Sequence, residues 1–266
     1  MDLSGKTALI TGGTHGLGGT IATELHAAGA NVLITGIEDE AGKALAGTLG
    51  ERAAYHRMDL SRDGDIDAAL ADCRDRFGKL DIIVHNACSY LDSGLSTARE
   101  DWLTSLNINV VGASVLVDKA RPMLTAPGGV VVLIGSVSGK SGNHSRGPYS
   151  VSKAAIAQLA KLMAVQLGTD GIRALTVSPG WTWTPPMEAM TDGDRDIADK
   201  AGAKVNLLGR VGRQKEVANA VVFAASDAAS WVTGCDIPVD GGFTTLASDQ
   251  GLGPRHWCSV IASEQS

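Results

Sequence analysis

Short, almost uninterrupted apolar runs recur along the chain: TALIT (7–11), NVLIT (31–35), AAYHRM (53–58), DIIVH (81–85), VVVLIG (130–135), IRALTV (172–177) and CDIPV (235–239). Runs of this length, most of them rich in β-branched residues, predict strands. Between them apolar residues return every three or four positions, as in IATELHAAG and AAIAQLAKLMAVQLG, the spacing of one helix face. Strand and helix in alternation predict βαβ units, hence an α/β fold with a parallel sheet. Most strands are apolar throughout, which predicts helices covering both faces of that sheet. Two stretches break the rhythm: 179–212, with WTWTPP and the charged helical piece DGDRDIADKAGAKV, and the tail 247–266. Long irregular segments in a compact domain are usually functional or mobile. The expected organisation is therefore a single domain over 1–246, with a substrate-loop insertion at about 181–208, and a C-terminal extension over 247–266.

Composition narrows the function. A chain of 266 residues with 44% hydrophobic content suffices for one large, well-buried domain. A formal charge of −6 and no Lys/Arg-rich run argue against nucleic acid or an anionic membrane surface as partner. Cys73, Cys88, Cys235 and Cys258 show no C-x-x-C spacing and no histidine in zinc-finger register, so no metal site is expected and the thiols read as free, in a reducing compartment. The opening stretch MDLSGKTALITGG lacks a signal-peptide apolar core, and no apolar run approaches the ~20 residues of a membrane span. A cytoplasmic location is the expectation.

TGGTHGLGG follows the first strand and opens the first helix, placing Gly12, Gly16 and Gly18 in a T-G-x-x-x-G-x-G arrangement. Glycine is needed where such a turn is tight and where backbone approaches a pyrophosphate, which then rests at the positive end of a helix dipole. Together with the H-N-A of 85–87, the Y-S-V-S-K of 149–153, S-P-G at 178–180 and V-D-G-G at 239–242, this turn resembles the short-chain dehydrogenase/reductases. The likeness runs over roughly 5–245 and implies a single Rossmann-type, doubly wound parallel sheet. His85 stands where the family writes the first Asn of N-N-A-G, and Cys88 where it usually has Gly, so the turn after the fourth strand is expected to differ.

The resemblance implies a catalytic tetrad of Asn109, Ser136, Tyr149 and Lys153. Tyr149 and Lys153 lie four apart at the start of an apolar-periodic helix, so both project from one face. A nearby ammonium favours the phenolate and turns a tyrosine into a usable general acid and base. Ser136 closes the fifth strand at the carboxyl edge of the sheet, where ligands bind in open α/β folds; turn capping there is expected of Ser138. Asn109 matches the asparagine with which the family holds a water between backbone and lysine, with Asn107 as the near decoy. For the cofactor the resemblance implies Gly12, Thr14, His15, Gly16, Leu17 and Gly18 at the pyrophosphate. It further implies Gly36, Ile37, Asp59 and Leu60 at the adenosine half, and Asn86, Ala87, Tyr149 and Lys153 at the ribose. Pro179, Gly180, Thr182 and Thr184 fall on the nicotinamide side. Asp59 has an equally good structural reading as an acid in the cap region before Ser61.

Substrate is expected among the loops leaving the strands: Tyr90, Ser138, His144, Trp181, Trp183 and Met187. Two tryptophans in three residues suggest a flat apolar wall, with lid packing as the alternative. Lys140 and Arg146 are the lone cations in these loops, which favours a small uncharged secondary alcohol or ketone, aromatic or alicyclic. A cis-dihydrodiol or polyol dehydrogenase, a 3-oxoacyl reductase, and a non-catalytic dinucleotide sensor are the other readings. The family's NAD enzymes commonly place Asp at 36, and its NADP enzymes a basic residue at 15 or Arg at 37; this chain has Gly36, Ile37 and His15. The acids Glu38, Asp39 and Glu40 would repel a 2′-phosphate, which favours NAD over NADP. The family's usual assembly implies a homotetramer, or a homodimer, through helices around 98–124 and 149–168. Trp257 and Ile261 are expected to anchor the tail on a neighbouring subunit.

Overall fold

Seven strands pair side by side, all parallel, in a computed structural model that describes residues 1–246 and 250–264. They are β1 (Thr7–Thr11), β2 (Asn31–Gly36), β3 (Ala53–Arg57), β4 (Ile82–His85), β5 (Val130–Ile134), β6 (Arg173–Pro179) and, at the far edge, Asp236–Val239. Between them run α1 (Gly16–Ala27), α2 (Asp39–Leu49), α3 (Asp63–Phe77), α4 (Arg99–Leu106), α5 (Gly112–Ala120) and α6 (Pro148–Gly168). The stretch after β6 holds β7 (Thr182–Trp183), α7 (Pro185–Met190), α8 (Arg195–Gly202), β8 (Gly212–Arg213) and α9 (Gln214–Ala225), so that the last sheet strand is β9. The sheet order is β3-β2-β1-β4-β5-β6-β9. Strand order reverses between β1 and β4, and a crevice opens there at the carboxyl ends.

Two cores explain why the strands are apolar on both sides. Leu9, Leu33, Ile83, Val131 and Leu133 face one layer, where Leu116, Ile156 and Met163 meet them. Ile10, Ile34, Val84 and Val132 face the other, against Ile21, Leu25, Val217 and Val221. Every one of these strand residues is fully buried. Helix α6 keeps Ile156, Ala160, Met163 and Leu167 inward at helical spacing, which fixes the rotation of its first turn and therefore of Tyr149 and Lys153.

The irregular stretch is built rather than loose. Helix α8 is locked to the strand behind it by Asp199, which receives Arg213 at 2.7 Å and the Val211 N–H at 3.1 Å. Gly202 lets the helix approach, since a Cβ there would come within 2.6 Å of the Val211 nitrogen. Beyond Leu246 the chain forms α10 (Pro254–Glu264), on which Trp257 and Ile261 are exposed. Residues 247–249 and 265–266 of the expected extension lie outside the described residues. No helix among the described residues is long and apolar enough to cross a membrane.

Candidate active site

The glycine turn is shaped by backbone demands. Gly12 (φ +58°) and Gly16 (φ +55°) occupy the left-handed region that side chains avoid. At Gly18 there is no room for a methyl group, because it would run into the Gly12 carbonyl and the Asn86 amide. The turn after β4 is tied to this cradle: Asn86 Nδ2 donates to Gly12 O at 2.8 Å, and the N–H groups of Asn86 and Ala87 both donate to Thr11 Oγ1 at 3.1 Å. Leu17 packs into the second core and Leu60 is buried, its carbonyl 2.9 Å from where a Cβ on Gly112 would stand. Cys88 sits in the turn without positive φ, so the missing glycine costs no strain; burial pushes its thiol up.

At the end of β2 the chain turns back on itself. Glu38 occupies the cap position of α2, yet its carboxylate leaves the helix and accepts a hydrogen bond from Thr14 Oγ1 at 2.9 Å. The same hydroxyl lies 3.0 Å from His15 Nδ1. A side chain at Gly36 would meet Thr14 Cγ2 at 2.8 Å and Glu38 Oε2 at 3.2 Å. The space that an Asp at 36 would fill is thus held by Thr14 and Glu38. Asp39 does not join it: it accepts from Tyr55 Oη at 2.8 Å and lies 3.5 Å from Arg57, whose guanidinium also bonds the Ile37 carbonyl. Asp39 is thus engaged by Tyr55 and Arg57, and Arg57 is a cation in this corner that the spacing did not reveal. Ile37 is exposed on the rim. Asp59 accepts from Ser61 N–H at 2.9 Å and Ser61 Oγ at 2.7 Å, closing its own turn. Burial would raise this carboxyl, but the bonds from Ser61, with Arg62 and Arg57 nearby, hold it below the usual range.

The four expected catalytic side chains gather between β5, α6 and the α4–α5 junction. That junction is a π-helical segment, Asn107–Val111, whose extra residue per turn accommodates the mid-helix asparagine. Asn109 is buried. Its Oδ1 accepts from Ser89 N–H at 2.7 Å, and its Nδ2 donates to Ser152 Oγ at 3.0 Å. Lys153, 5% exposed, donates to the Ile134 carbonyl at 2.8 Å, and its Nζ lies 5.6 Å from the centre of the Tyr149 ring. Ser136 itself caps the short turn Val137–Gly139, its Oγ accepting from Ser138 N–H at 3.1 Å. The expectation that Ser138 would do so is reversed. The bond fixes the Ser136 side chain and leaves its O–H free to donate.

Two neighbours of Tyr149 were not foreseen in these roles. Asp92 accepts from the N–H groups of Gly147 (2.7 Å), Tyr149 (2.9 Å) and Gly94 (2.9 Å), clamping the start of α6. Burial opposes its charge, but these three bonds and Arg146 hold the carboxyl below its ordinary range. Arg146 lies over the rings of Tyr149 (5.4 Å) and Tyr90 (6.0 Å). The Tyr90 ring stacks on Tyr149 with centres 5.2 Å apart and planes 20° from parallel.

In the stretch expected to face the nicotinamide, Thr182 Oγ1 donates to Gly180 O at 3.0 Å and Thr184 Oγ1 to Thr182 O at 3.2 Å, while Gly180 abuts Asp240 after β9. Pro185, next in the chain, stands 3.6 Å from where a Cβ on Gly16 would be, so α7 begins against the glycine turn. Met187 is half-buried in α7, Pro179 buried at the end of β6, and His144 exposed. Trp181 tilts against Phe243 at 6.3 Å and lines a cavity of ≈ 420 Å³ with Asn206, Leu207, Pro238 and Gly242. Trp183 pairs through its backbone with Arg213, and its carbonyl accepts from Gln214. Lys140 is neutralised by Asp236 at 2.6 Å.

His85 is wholly buried beneath this group, its basicity pushed down to about 4 by burial and by the Lys153 charge, against the pull of the Asn109 carbonyl. An unfolded histidine takes a proton near pH 6.5, whereas the folded one resists until about 4. The stabilisation is therefore complete above about pH 6.5 and is lost as pH falls toward 4. Denaturant titrations should show about 2 kcal/mol less stability at about pH 5 than at about pH 7.5 from this group, and His85→Asn should flatten that dependence.

A nucleotide cradle joined to a hydroxyl, a phenol and a buried ammonium at a sheet's switch point defines an oxidoreductase that uses a nicotinamide dinucleotide. Residues 12–244 match the family described as enoyl-(acyl carrier protein) reductase. A 2,5-dichloro-2,5-cyclohexadiene-1,4-diol dehydrogenase of Sphingobium indicum is 36% identical over 250 residues, covering 92% of this chain and 99% of the relative. A 3-alpha-(or 20-beta)-hydroxysteroid dehydrogenase of Mycobacterium tuberculosis is 35% identical over 267 residues, covering 99% and 96%. The crystal structure of a short-chain dehydrogenase/reductase, a glucose/ribitol dehydrogenase from Brucella melitensis, superposes with a TM-score of 0.85 at 30% identity, over 91% of this chain and 99% of that one. The chain belongs to the short-chain dehydrogenase/reductase family, and with it to the NAD(P)-dependent alcohol dehydrogenases and ketone reductases.

Proposed function

We propose that the protein is an NAD-dependent dehydrogenase of small, uncharged alicyclic or aromatic secondary alcohols. The observation that carries the substrate class is the Tyr90 ring stacked on Tyr149, a flat aromatic wall beside the reactive phenol, with Arg146 lying over both rings. The neutralised Lys140 supports an uncharged substrate, and the diol and steroid dehydrogenases among the relatives act, by their names, on alicyclic alcohols. In oxidation Tyr149 Oη takes the hydroxyl proton, and Ser136 donates its free O–H to the substrate oxygen. Lys153 places its ammonium 5.6 Å from the centre of the Tyr149 ring, and Asn109 holds the Ser89 turn against α6 through Ser152. The bound dinucleotide supplies hydride transfer between nicotinamide C4 and the carbinol carbon. The glycine turn with Thr14 and Leu17 holds its phosphates, Asn86 and Ala87 its nicotinamide ribose, and Pro179, Gly180, Thr182 and Thr184 its carboxamide side. Ile37, Asp59 and Leu60 bound the adenine. Glu38, turned toward Thr14 beside a glycine, supports NAD, as an acceptor for the ribose hydroxyls and an obstacle to a 2′-phosphate.

The same proposal reads 1–246 as one domain with 181–208 as its lid and 247–266 as an extension. It takes the site to be free of metal. Exposed Leu103, Val111, Val151, Leu162 and Val165 on the α4–α5 and α6 surfaces support assembly into a homotetramer or homodimer through these helices. The exposed Trp257 and Ile261 support docking of α10 on a neighbouring copy. The free thiols support a cytoplasmic location. Initial rates over alicyclic diols, aromatic alcohols, sugars and a 3-oxoacyl thioester test the substrate class. The ring alcohols should give the highest kcat/KM; a preference for the thioester, as the 35% identical 3-oxoacyl-[acyl-carrier-protein] reductase of Chlamydia trachomatis would suggest, overturns it.

A further inference from the structure

His85 stands where the resembled family writes asparagine, and nothing in the proposed reaction uses it. Its ring is fully buried and holds two hydrogen bonds: Nε2 lies 3.1 Å from the Asn109 carbonyl and Nδ1 lies 3.2 Å from Thr11 Oγ1. A carbonyl only accepts, so Nε2 carries the hydrogen. Thr11 Oγ1 already accepts from the N–H groups of Asn86 and Ala87, so its own hydrogen points to a bare Nδ1. The neutral Nε2–H tautomer is the one form that satisfies every partner, and a second positive charge beside Lys153 is avoided.

One chain of hydrogen bonds then runs through the site. It leads from the Asn86–Ala87 turn to Thr11, to His85 and to the Asn109 carbonyl in the π segment. From the Asn109 amide it passes to Ser152 Oγ, which donates to the Tyr149 carbonyl at 2.7 Å. We infer that His85 is a positioning residue that couples the nucleotide turn to the Tyr149–Lys153 helix by holding the Asn109 carbonyl. It touches no reacting atom and acts through Asn109. The inference rests on the dehydrogenase reading above.

Two substitutions separate its two bonds. His85→Asn keeps a polar atom near the Nδ1 position and loses the donor to Asn109; His85→Gln places an amide N–H near the Nε2 position. The expected result for His85→Asn is a kcat lower by about tenfold, the size of one lost buried hydrogen bond. Its kcat–pH profile should move to higher pH, with the KM for NAD within about twofold of wild type. His85→Gln should recover kcat and the profile to within about threefold. Nitrogen-15 NMR of the histidine rings in the wild-type protein should show one imidazole protonated at Nε2 from about pH 8 to about pH 5, a signal absent from both variants. Equal kcat and superimposable pH profiles for wild type and His85→Asn overturn the coupling, as does an Nδ1–H tautomer. Absence of turnover in the wild type would instead refute the dehydrogenase reading and leave the NMR result standing as the test of the network.

Discussion

Tyr149→Phe is expected to lower kcat by at least about a thousandfold, near the upper end of what one general acid–base group contributes. The substitution removes the phenolic oxygen and little else. The ring keeps its stack on Tyr90 and its place beneath Arg146, and the start of α6 stays clamped by Asp92 through backbone N–H groups. Lys153 keeps its bond to the Ile134 carbonyl. Reduced-nicotinamide binding, followed by fluorescence, should stay within about threefold, because a phenol hydroxyl contributes one hydrogen bond at most to the ribose. A variant that retains more than about a tenth of wild-type kcat would remove Tyr149 from the proton transfer.

Glu38→Gln is expected to lower the ratio of kcat/KM for NAD to that for NADP by about a hundred- to a thousandfold. Two effects act together. A charge-assisted hydrogen bond to a ribose hydroxyl is worth about 1.5–3 kcal/mol, and its weakening falls on NAD alone. Repulsion of the 2′-phosphate by Glu38 disappears at the same time, which leaves Arg57, still paired with Asp39, and His15 as the polar groups nearest that corner. Gly36→Asp is the informative contrast. The family's usual NAD residue is obstructed here by Thr14, so the substitution should weaken NAD rather than improve it. The ratio of initial rates at subsaturating nucleotide reads both variants; a Glu38→Gln ratio within about threefold of wild type would show that the acid does not select the cofactor.

The sheet was legible because its inner strands are short apolar runs, which burial on both faces makes conspicuous; the edge strands β3 and β9 are mixed and only partly buried. β7 and β8 were not, since two-residue strands carry no period. The expected tetrad came from motif order, but the contacts that position its four side chains join residues distant in the chain. The π segment at Asn107–Val111 depends on His85 and Ser89 reaching Asn109 from β4 and its turn, and no local pattern encodes it. Glu38 lies two residues past the position usually read for cofactor choice. Only the fold-back onto Thr14 and the absence of a side chain at Gly36 bring it there. The Trp181 ring was unreadable for a related reason: alternation in a turn does not say which side a ring takes, and its contact with Phe243 joins residues far apart in the chain.

The most direct test is the initial rate of the unaltered protein with NAD and with NADP at one alicyclic secondary alcohol, followed by the absorbance of the reduced nicotinamide. Turnover with NAD at a kcat/KM at least about tenfold above that with NADP is the predicted result. Faster turnover with NADP, or bound nucleotide with no turnover from either, would contradict it.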